Sequence, residues 1–327
     1  MKIVITRRIF PEVVAALRAT FDVGSNDDDR IYTPEELARQ LADADGAITC
    51  ITEKIDAPLL TCAPRLRVVA NIATGYNNID VTACSARGVM VTNTPGVLED
   101  TTADLTFALL LATARRITEA EAWLRAGEWQ KAFALQQFTG ADVHHATLGI
   151  LGMGRIGQAI ARRARGFDMT VLYHNRTPLD AALAGALGAT RVPRDELLRR
   201  ADFVVVMVPY SAATHHLVGA PEIALMKPGA ILINTARGGV VDDQALIAAL
   251  ETGRIAGAGL DVFENEPKFD PRFLALRNVV LTPHIGSATQ ATRRKMAQLA
   301  ADNVVAALSG AAPPNLVNRE IIGASPT

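Results

Sequence analysis

The sequence predicts an α/β protein of two domains. Short β-branched runs alternate with stretches of helical periodicity almost throughout, the pattern of parallel strands joined by crossover helices. The chain has 327 residues, more than one typical domain needs and enough to bury a sizeable core in each of two. The strand runs also fall into two series, with one long apolar-rich helix between them.

In the first series the strands are KIVIT (2–6), GAIT (46–49), LRVVA (66–70) and VMVT (89–92), with helical segments near 11–19, 34–42 and 79–86. They make a small open sheet. VLEDTTADLTFALLLATARRI (97–117) follows, opening on acids and closing on Arg115 and Arg116, the charges that a helix dipole favours at its two ends. It reads as one helix connecting the domains. The second series is TLGILG (147–152), MTVLY (169–173), FVVVMVP (203–209), AILINTA (230–236), AGLDVF (258–263) and NVVLTP (278–283). These are apolar enough to be the buried strands of a larger doubly wound sheet. AALAGALGA (181–189) reads as an Ala-rich helix end, a last helix covers about 288–309, and a Gly/Pro-bearing tail (310–327) is placed to return to the first domain.

Charge and cysteine content exclude several classes. Acids and bases nearly cancel, 34 against 33, and the arginines are scattered, so no nucleic-acid or membrane-surface partner is expected. Cys50, Cys62 and Cys84 are odd in number and form no C-x-x-C pair. They read as reduced, small core residues, with no metal site. MKIVITRRIF lacks the apolar core of a signal peptide and no later run reaches membrane length, so the expected location is cytoplasmic.

Gly152, Gly154 and Gly157 stand in G-x-G-x-x-G order directly after a strand and at the head of a helix. The first glycine permits a tight turn, the second lets backbone approach a pyrophosphate, and the third lets helix pack on strand while the helix N-terminus faces the phosphates. In that setting the motif predicts dinucleotide binding. The next strand closes not on an acid but on Asn175 and Arg176. An acid there would bond the adenosine ribose of NAD and repel the 2′-phosphate of NADP. Asn175 removes the repulsion, Arg176 can donate to phosphate, and the Thr177 hydroxyl is in reach. The expected cofactor is NADP(H), with NAD(H) the alternative; an ordinary surface arginine is the plainer reading of Arg176.

Three further residues lie just beyond strand ends, where doubly wound sheets gather ligands: Arg237, Glu266 and His284. Singly each has a dull explanation, as a capping ion pair, a solvated carboxylate and a loop histidine. Together they are what reduction of a carbonyl requires. His284 protonates the oxygen, Glu266 orients the ring and favours its charged form, and Arg237 holds a substrate carboxylate and carbonyl. Such a positioned acid typically supplies about 10²–10⁴-fold in rate.

VANIATGYNNID (69–80), TARR (113–116), LGILGMGRIG (148–157), NTARGGVVDDQAL (234–246), GLDVFENEP (259–267) and PHIGSAT (283–289), with intervals of 29 and 18 residues between Arg, Glu and His, resemble the D-isomer-specific 2-hydroxyacid dehydrogenase family nearly end to end. That resemblance implies a Rossmann cofactor domain (99–286) inserted in a smaller flavodoxin-like substrate domain (1–98 and 287–327). It implies Arg237, Glu266 and His284 as the catalytic set, with backbone N–H groups around Thr74 and Gly75 receiving the substrate carboxylate. Cofactor contacts are implied at Thr102, Gly152, Gly154, Arg155, Ile156, Gly157, Asn175, Arg176, Thr177, Val208, Pro209, Thr214, Thr235, Ala236, Asp261 and Gly286. A homodimer joined through the cofactor domains is implied as well.

Within the family, LRAGEW (124–129), GADVHHATLGILGMGRIG (140–157) and YHNRT (173–177) are nearest to glyoxylate/hydroxypyruvate and 2-ketogluconate reductases, which tend to use NADPH. Asp104 stands where the family often has Glu, and KAFALQQF (131–138) is less aromatic than in the nearest relatives. Glutamine would replace Glu266 in a formate dehydrogenase, and the lack of a C-terminal regulatory domain disfavours a feedback-controlled phosphoglycerate dehydrogenase. The expected activity is NADPH-dependent reduction of glyoxylate, hydroxypyruvate or 2-ketogluconate to the D-2-hydroxy acid. A non-catalytic, corepressor-like dinucleotide sensor, a D-3-phosphoglycerate dehydrogenase-like enzyme and a purely structural α/β protein are the alternatives.

Overall fold

A computed structural model describes residues 1–131 and 134–321. Two residues of the KAFALQQF segment, Ala132 and Phe133, and the last six of the tail lie outside the described residues. In chain order the first elements are β1 (Lys2–Ile5), α1 (Pro11–Arg18), β2 (Asp22–Ser25), α2 (Pro34–Leu41), β3 (Gly46–Thr49), α3 (Ala57–Cys62), β4 (Val68–Asn71), α4 (Val81–Ala86) and β5 (Met90–Thr92). There follow α5 (Glu99–Ala114), α6 (Ile117–Arg125), β6 (Thr147–Leu151), α7 (Arg155–Ala164), β7 (Thr170–His174), α8 (Ala181–Leu187), β8 (Ala189–Arg191), α9 (Arg194–Arg200) and β9 (Phe203–Val206). The last are α10 (Ala220–Leu225), β10 (Ile231–Asn234), α11 (Asp243–Glu251), β11 (Gly257–Leu260), β12 (Val279–Leu281) and α12 (Gln290–Leu308). The chain forms two compact units, Met1–Leu98 with Ala288 onward, and Glu99–Ser287.

The first unit holds a parallel five-stranded sheet in the order β2-β1-β3-β4-β5, the flavodoxin-like order. Ile3, Ile5, Ile48, Val68 and Ala70 pack with α1 and α12, while Val4, Ala47, Val69 and Val91 pack with Leu37, Leu41, Leu59 and Leu60. Alternate residues thus serve opposite layers, as the two-residue strand period requires. The tail returns to this sheet: Val317 N–H donates to Val91 O (2.8 Å), and Val91 N–H to Asn318 Oδ1 (2.8 Å).

The second unit is a parallel seven-stranded sheet in the order β12-β11-β10-β9-β6-β7-β8. Counted from β6, this is the doubly wound 3-2-1-4-5-6 arrangement with one strand added. Phe203, Val205, Ile231 and Ile233 face one layer; Val204, Val206 and Leu232 face the other. Strands coated on both faces need continuous apolar runs, which is why FVVV and ILIN are legible as sequence.

Several expectations are corrected. β2 and β8 are strands that the sequence pattern does not predict: both are sheet edges, three or four residues long, and largely outside the core (DVGS, ATR). The short α3 was also missed. The helix expected over 97–117 is α5, Glu99–Ala114; a left-handed φ of 52° at Arg116 follows its end and leads into a separate helix, α6, that the sequence does not signal. Of the cysteines only Cys84 is a buried core residue; Cys50 is half-buried, and Cys62, at the outer end of α3, is exposed. Among the described residues no helix is long and apolar enough to cross a membrane.

Candidate active site

The glycine turn has three distinct environments. Gly152 has φ +106°, and a Cβ there would lie 2.5 Å from Met207 O, so the turn out of β6 tolerates no side chain. A Cβ on Gly157 would lie 2.3 Å from Gly152 O, so the first turn of α7 packs directly on that bend. A Cβ on Gly154 would meet nothing within 4 Å, and Gly154 caps α7 with no side chain to accept its first N–H groups. Two glycines serve internal packing and the third leaves an open approach to a helix N-terminus. These residues fit a dinucleotide pyrophosphate.

At the end of β7, Asn175 Oδ1 accepts the Met153 N–H at 2.6 Å. The side chain therefore ties the second strand to the glycine turn with a neutral amide, a bond the sequence did not reveal. Arg176 and Thr177 are exposed beside it, as is Arg155 at the head of α7, whereas Ile156 is half-buried. Val208 lies against the same turn, its Cγ1 2.9 Å from where a Gly152 Cβ would be. The Thr214 hydroxyl closes the following loop by donating to Pro209 O (2.7 Å) and accepting from Ser211 N–H (2.8 Å).

Arg237, Glu266 and His284 follow the C-terminal ends of β10, β11 and β12. These strands are consecutive neighbours, in a register that sets Asn234 beside Leu260 and Leu260 beside Leu281. Neighbouring strands are about 4.8 Å apart, so three loops distant in sequence emerge side by side. The Arg237 loop is pinned by Asn234, whose Nδ2 donates to Arg237 O (3.2 Å) and whose Oδ1 accepts Ala236 N–H (3.1 Å). Arg237 Nη1 donates to Ala236 O (2.8 Å). Burial lowers the Arg237 guanidinium pKa from its ordinary value, and the Glu266 carboxylate opposes that shift. Glu266 therefore acts electrostatically on the arginine while bonding the histidine.

Glu266 Oε2 lies 2.7 Å from His284 Nδ1, and its Oε1 accepts Phe263 N–H at 2.8 Å. An ionised carboxylate only accepts, so Nδ1 carries the proton and donates it, leaving Nε2 for other work. The pair is about three-quarters enclosed, at 26% and 28% side-chain exposure. His284 has a left-handed φ of 55°, a conformation non-glycine residues adopt only where their surroundings enforce it. Asp261 enforces it here: its backbone O accepts His284 N–H (2.9 Å), Oδ1 accepts the Thr282 hydroxyl and Ile285 N–H (2.7 Å each), and Oδ2 accepts Gly286 N–H (2.8 Å). Burial raises the Asp261 pKa, against those hydrogen bonds and the nearby His284.

Sequence reasoning missed the residues that hold these loops. A Cβ on Gly238 would fall 1.7 Å from Phe263 O, so the Arg237 loop lies directly on the Glu266 loop. Glu264 N–H donates to Asp243 Oδ2 (3.0 Å), and Glu264 Oε1 is 2.7 Å from His216 Nε2. Burial pushes the Asp243 carboxyl up to about 6. His216, Asp242 and Glu264 could offer a metal three donor atoms within 4.8 Å of one another. As placed, His216 and Glu264 bond each other, and Asp242 caps α11 through Gln244 and Ala245 N–H. The run of two glycines after Arg237 was the available signal for the loop contact, but spacing alone does not say which backbone such a glycine meets.

Thr235 bonds Thr106 hydroxyl to hydroxyl at 2.7 Å, fastening β10 to α5. Gly286 faces Thr102, with 3.4 Å between its would-be Cβ and the threonine Cγ2. Thr74 and Gly75 belong to the first unit, on the loop after β4. Their carbonyls accept Asn93 Nδ2 (2.8 Å) and Asn71 Nδ2 (2.9 Å), while among the described residues no acceptor takes either N–H.

Known proteins resemble this chain in sequence and fold. Residues 107–286 match the family model described as D-isomer specific 2-hydroxyacid dehydrogenase, NAD binding domain. The chain is 49% identical to a glyoxylate reductase of Thermococcus onnurineus over 324 residues, covering 98% of this chain and 97% of that one. It resembles the crystal structure of an NADPH-dependent glyoxylate/hydroxypyruvate reductase from Sinorhizobium meliloti in complex with NADP and malonate (TM-score 0.87, 38% identity, 97% of this chain and 96% of that). It also resembles a glyoxylate reductase from Paecilomyes thermophila (TM-score 0.88, 32% identity, 98% and 99%). Near-complete coverage at these identities, on the fold described above, establishes that the chain belongs to the D-isomer specific 2-hydroxyacid dehydrogenase family.

Proposed function

We propose that this protein reduces a small 2-ketoacid, glyoxylate or hydroxypyruvate in the first place and 2-ketogluconate as the larger candidate, to the D-2-hydroxy acid, with NADP(H) preferred over NAD(H). The bound nicotinamide cofactor supplies the hydride. The protein supplies the proton and the placement: His284 gives a proton from Nε2 to the carbonyl oxygen, and Glu266 holds the ring. Arg237 binds the substrate carboxylate and carbonyl. The observation that carries this reading is the 2.7 Å bond between Glu266 and His284, with Arg237 in the field of the same carboxylate.

The coenzyme preference is supported by a β7 end that bears Asn175 and Arg176 instead of an acid, and by the NADP-bound relative from Sinorhizobium meliloti. We read the working form as a homodimer, supported by apolar side chains standing exposed on and after α6: Ile117 51%, Leu124 51%, Trp129 60% and Leu135 84%. A screen at ~340 nm, the absorbance of reduced nicotinamide, tests the activity by crossing both coenzymes with glyoxylate, hydroxypyruvate, 2-ketogluconate and 3-phosphohydroxypyruvate. The expected result is turnover with one or more of the first three, faster with NADPH. Cofactor binding without turnover on any of the four would replace this reading with that of a dinucleotide sensor.

A further inference from the structure

We propose that Arg191 is a specificity-determining residue for the cofactor's 2′-phosphate, acting with Arg176 as the second guanidinium at that corner. The inference rests on the NADP(H) reading above and extends it to a strand outside the loop that signals it. Arg191 closes β8, and the parallel register sets it opposite Tyr173, two residues before Asn175. From there its Nη2 donates to Asn175 O at 3.1 Å and to Arg176 O at 3.3 Å. Its Nε and Nη1 have no acceptor among the described residues, which leaves three of the five N–H donors of a guanidinium for a ligand.

Three physical consequences converge. The two carbonyl bonds order a long, exposed side chain before any ligand arrives, so less entropy is lost on binding. They also occupy two carbonyl oxygens whose partial negative charge would otherwise meet a phosphate. A phosphomonoester carries a charge of about −1.5 to −2 at neutral pH, more than Arg176 alone can neutralise. The single carboxylate of the 175–181 segment, Asp180, is committed to the N-terminus of α8, where Oδ1 accepts Ala182 N–H (3.0 Å) and Leu183 N–H (3.2 Å).

The test measures binding and needs no turnover. Dissociation constants of the full-length protein are compared at one fixed ionic strength for NADPH, NADH, 2′,5′-ADP and 5′-AMP, in the unmodified chain and in Arg176→Gln, Arg191→Gln and Arg191→Lys. Arg191→Gln is expected to weaken NADPH and 2′,5′-ADP about 10-fold, the scale of one charge-assisted contact, while NADH and 5′-AMP stay within about 2-fold. Arg191→Lys, which keeps the charge without the fork, is expected to fall between. Equal weakening of all four ligands by Arg191→Gln would mean that Arg191 only braces the loop, and no weakening would remove it from the site; either result overturns the proposal while selectivity through Arg176 stands. If the unmodified chain does not prefer 2′,5′-ADP to 5′-AMP, the NADP(H) reading itself fails, and this inference with it.

Discussion

His284 and Glu266 share a hydrogen bond of 2.7 Å although the histidine follows β12 and the glutamate follows β11. The second oxygen of that carboxylate is held by Phe263 N–H, so neither partner can turn without breaking a bond. The ring is thereby fixed with Nδ1 toward the protein and Nε2 available, the orientation that a general acid in carbonyl reduction requires.

Replacing His284 with Gln should therefore lower kcat by about 10³-fold or more, near the upper part of the range for a positioned acid. NADPH affinity should stay within about 2-fold, because His284 bonds Glu266, Asp261 and Thr282 and, among the described residues, makes no hydrogen bond to the glycine turn. Glu266→Gln should cost about 10–100-fold, since the proton donor remains while its orienting charge is lost. Steady-state kinetics alongside cofactor titration by fluorescence checks both; undiminished kcat in the histidine variant would remove its role as acid.

Asn175→Asp should reverse the coenzyme preference without disturbing the glycine turn. An aspartate oxygen can still accept the Met153 N–H that Asn175 Oδ1 accepts at 2.6 Å, but it adds a negative charge at the ribose. The NADPH dissociation constant is expected to rise about 10-fold or more, with that for NADH level or lower, as the NAD-type acid at this position implies. Titration with both coenzymes checks it, and an unchanged ratio would count against the 2′-phosphate contact.

Gly238→Ala should damage the site from outside it. The added Cβ would fall 1.7 Å from Phe263 O, and a backbone atom cannot step aside as a flexible side chain can. Overpacking of this kind costs about 1–3 kcal/mol, and here the strain falls between the Arg237 and Glu266 loops. Lower melting temperature together with a loss in kcat, read by differential scanning fluorimetry and initial rates, is the expected pair. A variant with normal kcat would show that the two loops need not touch.

Asp243 gives a pH dependence with a definite sign. Its carboxyl is pushed up to about 6 in the folded protein by burial, against a value of roughly 3.9 in an unfolded chain. The folded state then binds more protons than the unfolded state between those values, so this residue's contribution to stability falls as pH rises through that window. Asp243→Asn, whose amide oxygen can still accept Glu264 N–H, should melt at a higher temperature than the unmodified protein at pH 7–8. The difference should vanish near pH 4. Melting curves across pH 4–8 decide this, and a constant offset at every pH would assign the effect to packing instead.

How far the sequence could be read depended on how local each signal is. Interior strands such as FVVV and ILIN are unmistakable because both faces are buried. The edge strands β2 and β8 have no such requirement and look like ordinary polar loops. Arg191, on such an edge, therefore carries no signal in the sequence, whereas Arg176 stands beside a recognisable fingerprint. The left-handed Arg116 that separates α5 from α6 is likewise invisible in the apolar spacing.

By itself the sequence determined which residues have the right chemistry and which stand at strand ends: the three glycines, Asn175, and the Arg, Glu and His of the later loops. Tertiary structure alone decided who meets whom. Sheet order set β10, β11 and β12 side by side, laid Gly238 on Phe263, turned Asn175 inward to Met153 and brought Arg191 under the β7 loop. The physical reason is that helix and strand periods follow from neighbours a few residues apart, whereas contacts between loops depend on strand order and packing distance, which spacing along a chain does not encode.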